Sequence, residues 1–155
     1  MLDGGKGVEA PDTVSLGPLN GSLGFLLRLA QLETFRGFFD ALGDLQVRPG
    51  EMTVLLLLAQ NPGVVQGQLA RRLAIKRAHM TKLVKSLEAR KLVKREVCVT
   101  DRRAILLSLT SHGKAEVAKL GERFERHEQT PSGHLSAGEE EQLKSLLRRY
   151  LGLES

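Results

Sequence analysis

The sequence has one cysteine, Cys98, no tryptophan, one tyrosine and five phenylalanines in 155 residues. A single thiol cannot close an intrachain disulfide, which excludes a small extracellular scaffold stapled by bridges. Aromatics at 4% are too sparse for the stacking platforms of single-strand nucleic-acid binders. No apolar run is long enough to span a bilayer, and no signal-peptide pattern stands at the start. A cytoplasmic protein with no membrane partner is therefore expected. Catalytic signatures are lacking too. His79, His112, His127 and His134 do not have the spacing of a zinc-binding HExxH helix, and no second cysteine joins them. Neither a GxSxG elbow nor a phosphate loop appears. No enzyme, metal site or cofactor is expected.

What is present is an uneven distribution of charge. The formal net charge is +5, but residues 66–114 carry 13 Lys/Arg against 3 Asp/Glu. That segment is therefore +10 and the remainder −5. A basic centre between acidic flanks fits a nucleic-acid reader; a solvated basic face is the plainer alternative. The length suits one domain with a real core.

Periodicity orders the chain around residues 66–110. Residues 66–73 form a short helical pattern with Leu69, Ala70 and Leu73 inward, and Ala74-Ile75 makes a turn. Residues 76–90 form a second helix with a core stripe of Met80, Leu83, Val84 and Leu87. Two strand-like runs follow, 92–99 and 104–109, joined by the basic loop Thr100-Asp101-Arg102-Arg103. Upstream, residues 1–17 read as a tail rich in glycine and acid. A long helix is expected over 19–45, capped by Asn20 or Ser22 and apolar on more than one side. Pro49 and Gly50 break the pattern before a strongly apolar helix over 51–60, stopped by Asn61-Pro62-Gly63. Val64-Val65 is a minimal strand beside the hairpin. Downstream, Thr110 caps a helix over 111–129 with Val117, Leu120 and Phe124 on one side. Ser136 and Glu139 form a capping box for a last helix carrying Leu143, Leu146, Leu147, Tyr150 and Leu151.

A helix pair followed by a hairpin is the shape of a winged helix-turn-helix. The expected class is mainly α with a small β-hairpin wing, with dimerisation helices at both ends. The segment LARRLAIKRAHMTKLVKSLEARKLVKR, followed by DRRAILLSLTSHG, resembles the MarR family of bacterial transcriptional regulators. Its most specific part is Asp101-x-Arg103 followed by Leu109-Thr110 and Gly113. The resemblance implies one domain over 18–155, with dimerisation segments 18–48 and 111–155 around a reading module at 49–110. It also implies a Thr or Ser cap near Val65 and a glycine where Lys91 stands. This chain has neither. The first helix start should be less firmly fixed, and Lys91 should take a left-handed conformation at a cost near ~1 kcal/mol.

The second helix should enter a DNA major groove by its first turn. Arg77 suits guanine, and His79 or Thr81 a base or phosphate. Lys76, Lys82 and Lys85 suit phosphates. The resemblance implies that Arg103 enters a narrow minor groove, with Asp101 holding its guanidinium, and Arg102 fits a phosphate. Apolar stripes at both ends imply a homodimer, and its two-fold symmetry a pseudo-palindromic operator of double-stranded DNA; the resemblance implies that it acts as a repressor. The resemblance also implies release by a small aromatic acid. Arg28, Gln31 and Phe35, one stripe on the first helix, and His112 are the effector candidates; salt bridges and helix packing are their alternative role. Two other functions compete: structural DNA binding without an effector, and redox sensing through Cys98 in a wing strand.

Overall fold

The computed structural model describes residues 14–42, 47–129 and 134–153. A 3-10 turn (Gly17–Gly21) leads into α1 (Leu23–Leu42) and α2 (Pro49–Gln60). Then come β1 (Val64–Val65), α3 (Gln66–Arg72), α4 (Arg77–Ala89), β2 (Val93–Val97) and β3 (Ile105–Leu109). The long α5 (Ser111–Glu128) and α6 (Ala137–Tyr150) complete the order. The fold is mainly α with one small antiparallel sheet, in the order β1-β3-β2. The chain divides into two compact units, Met1–Glu33 and Thr34–Ser155, with the boundary inside α1. Among the described residues no helix is long and apolar enough to cross a membrane.

In the first unit the helix begins later than residue 19, because residues 17–21 wind as a 3-10 turn with Pro in its first positions. Ser22, not Asn20, is the cap: its Oγ accepts from the Phe25 N–H at 3.4 Å. The expected tail up to residue 13 and the expected helix end at 43–45 lie outside the described residues.

The second unit holds the core. α2 places Met52, Val54, Leu55 and Leu58 inside, against Met80, Leu83, Val84 and Leu87 of α4, Leu107 of β3 and Leu120 of α5. Pro49 and Gly50 do not precede this helix; they are its first two residues. Proline fits there because the first-turn N–H groups have no helical partner to lose. Glu51, only 8% exposed, then does three things. Its carboxylate accepts from the Arg48 N–H at 3.2 Å, from Ser86 Oγ at 3.0 Å and from Arg90 Nη1 at 3.3 Å. A buried carboxylate is tolerable only when paired and hydrogen-bonded in this way. The bonds tie the start of α2 to the last turns of α4.

In the sheet, β2 pairs with β3 from Val93↔Leu109 to Val97↔Ile105, and Val64 of β1 pairs with Leu107. β2 is shorter than the expected strand 92–99 at both ends, so Leu92 precedes it, buried, and Cys98-Val99 belong to the loop. Lys91 sits at φ 58 and Ala74 at φ 52, both in the left-handed region. Lys91 thus takes the conformation that a glycine would take without strain. Thr110 closes the hairpin onto α5. Its hydroxyl donates to the Lys91 carbonyl and accepts from the Gly113 N–H at 2.9 Å. A Cβ on Gly113 would collide with the Leu92 carbonyl oxygen, which is the physical reason for glycine there. α5 buries Val117 and Leu120, whereas α6, opened by the Ser136–Glu139 capping box, buries nothing.

Candidate nucleic-acid interface

The register of α4 decides which side chains meet solvent. With Met80, Leu83, Val84 and Leu87 inside, Lys76, Arg77, His79, Lys82 and Lys85 are all exposed. Lys76 is the N-cap and offers no side-chain cap, so first-turn N–H groups of α4 lack a side-chain acceptor. Such a helix start suits an anion. Thr81 is different. It is half-buried, and its Oγ1 lies 3.2 Å from Gln66 Nε2, which binds α4 to α3. α3 also starts without a side-chain cap, at Val65, as its sequence implies.

The wing loop is ordered by its own backbone. The Cys98 N–H donates to the Ala104 carbonyl at 3.0 Å, and the Ala104 N–H to the Asp101 carbonyl at 2.9 Å. Asp101, Arg102 and Arg103 are exposed. Asp101 orients Arg103, but not in the expected way. Its Oδ1 accepts from the Arg103 backbone N–H at 2.9 Å, and no ion pair joins the two side chains among the described residues. A carboxylate two residues back reaches the turn N–H more easily than the guanidinium, as in any Asx turn. The Arg103 side chain keeps its donors for another partner.

Wing and reading helix share a cleft of about 430 Å³. Arg77 and Thr81 of α4, Arg71 of α3, and Asp101 and Arg103 of the wing line it. Three guanidinium groups against one carboxylate, the latter engaged by a backbone N–H, make a strongly anion-attracting surface. Arg71 is an addition to the residues that the sequence singles out. The signal was present, since Arg71 follows the inward pair Leu69-Ala70 in the last turn of α3. A seven-residue helix is too short for periodicity to say which side an arginine takes.

This arrangement has known counterparts. A family model described as the MarR family matches residues 44–104. A Thauera aromatica protein described as a regulatory protein for the hcr operon is 35% identical over 134 residues, covering 86% of this chain and 81% of that one. The chain belongs to the MarR family. It is a DNA-binding transcriptional regulator, not an enzyme. Among solved structures, the repressor CouR bound to a 23-mer DNA duplex is similar over 90% of this chain and 99% of its own, at 33% identity and a TM-score of 0.81. BpsR of Bordetella bronchiseptica, whose DNA binding is regulated by 6-hydroxynicotinic acid, covers 83% of this chain and 92% of its own, at 27% identity and a TM-score of 0.75.

The remaining candidates of this MarR-family chain lie elsewhere. Arg28, Gln31 and Phe35 are exposed on α1, and His112 is exposed in the first turn of α5. None of the four lines the cleft between wing and reading helix. Cys98 is half-buried just past β2, in the loop and not in a strand. Its Sγ lies 3.2 Å from Thr100 Oγ1. That hydrogen bond, helped by the backbone of Asp101 and Thr100, holds the thiol below its ordinary range, and the Asp101 carboxylate opposes the shift. Among the described residues no group of three or more His, Cys, Asp or Glu could hold a metal ion.

Proposed function

We propose that this protein is a homodimeric repressor that grips a pseudo-palindromic operator and leaves it when a small aromatic carboxylate binds. The observation carrying the DNA half is the shared cleft of Arg71, Arg77 and Arg103, inside a segment of net charge +10. Arg77 reads a base, Arg103 enters the minor groove, and Lys76, Lys82, Lys85 and Arg102 neutralise phosphates, with His79 beside them. Thr81 acts mainly through Gln66, holding the two helices in register. The similarity to a repressor solved on a DNA duplex supports the same reading.

The dimer half rests on apolar surface. Leu23, Leu26, Leu32 and Phe39 of α1, and Leu143, Leu146 and Tyr150 of α6, are each more than two-fifths exposed. Contiguous apolar faces of this kind mark interaction surfaces. Two copies joined through segments 18–48 and 111–155 would set their reading helices about 34 Å apart, one helical turn of DNA. The effector half is supported by the similarity to a protein regulated by 6-hydroxynicotinic acid.

Fluorescence anisotropy on operator and random duplexes over a salt series tests the DNA half. Arg103→Ala should weaken operator binding by about 1–3 kcal/mol and Lys85→Ala should weaken both duplexes alike. Equal loss on both duplexes for Arg103→Ala would demote the wing to a phosphate contact. Light scattering at micromolar concentration tests the dimer; a monomer overturns it.

A further inference from the structure

Gln66, the first residue of α3, lines the cleft between the wing and the reading helix and is half-buried. Its Nε2 donates to Thr81 Oγ1 at 3.2 Å. Its Oε1 is buried and has no hydrogen-bond partner among the described residues. A buried acceptor left unpaired is costly, so such an atom in a folded chain calls for a use. Turning the amide over would bring an NH2 group, with no acceptor, toward a cleft that carries three guanidinium groups. The carbonyl oxygen is the atom that belongs on that side.

The missing donor is not a base. The oxygen is closed off from solvent, so a DNA edge does not reach it. It has to come from a side chain that moves within the cleft, and Arg71, Arg77 and Arg103 are there. A Cβ on Gly67 would meet Arg71 Nη1 at 4.0 Å, so that guanidinium lies over Gly67, about 100° round α3 from Gln66. Arg103 belongs to the opposite wall, the wing. Arg77 stands one turn before Thr81 on the same face of α4. The amide that Thr81 holds is therefore beside Arg77. Arg77 is exposed and makes no hydrogen bond or ion pair among the described residues, so its donors are uncommitted.

We propose that Gln66 is a positioning residue for base reading: when Arg77 meets the operator, Gln66 Oε1 accepts one of its N–H groups and fixes the plane of the guanidinium. The inference rests on the reading of Arg77 as a base contact. A guanidinium recognises guanine through two parallel N–H donors, so its plane has to match that of the base pair. Further N–H groups remain on the same guanidinium and can be held from behind. A neutral amide oxygen suits that task. It orients Arg77 without cancelling the charge that attracts DNA, which a carboxylate would do. The chain of contacts from Thr81 through Gln66 to Arg77 then ties the guanidinium to both helices of the module, and less freedom is lost when the base is met.

Competition binding tests this, with the duplex that the full chain enriches from a random-sequence pool and a set of its single-base-pair variants. Arg77→Ala marks the base pair that the arginine reads, as the position where discrimination is lost. Gln66→Met, similar in shape but without the amide, should reduce discrimination at that same base pair by about three- to tenfold and leave the other positions discriminated. In the Arg77→Ala background it should change nothing further. Gln66→Glu keeps an acceptor, so it should keep the discrimination while its charge weakens every duplex alike. It also serves where Gln66→Met melts too early to assay. Discrimination lost evenly over all base pairs, or lost equally with and without Arg77, would make Gln66 a packing residue and overturn the proposal. Loss of discrimination in Gln66→Glu would do the same. If Arg77→Ala loses discrimination and Gln66→Met keeps it, the Arg77 reading stands and the role of Gln66 falls. If Arg77→Ala changes no base preference, the reading itself falls and takes the role of Gln66 with it.

Discussion

α4 and α6 are amphipathic helices of nearly equal length, 13 and 14 residues, and their fates differ. α4 buries Met80, Leu83, Val84 and Leu87, while α6, with three leucines to the two of α4, buries no residue. Both stripes obey the same helical period. What separates them is whether the chain supplies a surface opposite. For α4 it supplies α2, held in place by the Glu51 bonds to Ser86 and Arg90. For α6 the described residues supply no surface that buries the stripe, and a polar link joins Lys144 to Glu128 at 3.8 Å. An amphipathic stripe therefore reports a need for a partner and not where the partner comes from.

The widest gap between the two helices should appear on truncating one leucine in each. Leu87 is fully buried, so Leu87→Ala should destabilise the fold by ~2–5 kcal/mol, at any protein concentration. Leu146 is half exposed, so Leu146→Ala should hardly alter a monomer but should make the melting temperature more concentration-dependent. Denaturant melts at two concentrations check both; equal, concentration-independent losses would mean that α6 packs within its own chain. Gly113→Ala asks whether the module is joined to α5 as rigidly as α4 is to α2. The collision with the Leu92 carbonyl should cost about 3 kcal/mol or weaken the Thr110 cap. A variant as stable as the parent would show that the joint gives.

Much of the module was legible in the sequence for a physical reason. Helix periods, turns and caps are set by residues a few positions apart, and such signals suffice for α4, the Thr110 cap and, beyond the module, the Ser136 box. Pro49 was misread because proline both ends and begins helices, and only the position of its neighbours separates the two. The Asp101 partner was misread because carboxylate-to-backbone and carboxylate-to-guanidinium pairings have the same sequence spacing. Arg71 and the Glu51 bonds depend on which faces of α2, α3 and α4 meet. No periodicity within one helix encodes that.

Smaller effects test how well the module tolerates its own departures from the family pattern. Lys91→Gly removes a side chain from the left-handed region at φ 58. Relief of ~1 kcal/mol of strain, partly offset by the added freedom of the unfolded chain, should leave a gain of about 0.5 kcal/mol. Since Thr110 binds the backbone carbonyl of Lys91 and not its side chain, the joint itself should persist. A loss of stability would show that the Lys91 side chain contributes more than its backbone conformation costs.

The faintest expected effect lies at the wing, the part of the module with the least core beneath it. The Thr100 hydrogen bond lowers the Cys98 thiol pKa, so in the folded chain the thiolate persists to lower pH than in the unfolded chain. Alkylation by iodoacetamide follows the thiolate, so its rate should rise with pH earlier for folded protein than for protein in urea. Thr100→Val removes the largest cause and should move the folded profile up towards the unfolded one. Overlapping profiles in the parent would show that Thr100 does not hold the thiolate. The same variant separates two roles for the thiol. If peroxide abolishes operator binding in the parent but not in Cys98→Ser, and Thr100→Val slows that loss, the wing senses oxidants as well as carrying Arg103. If peroxide changes nothing, the lowered pKa is a by-product of a tight turn, and Cys98 only fills space at the end of β2.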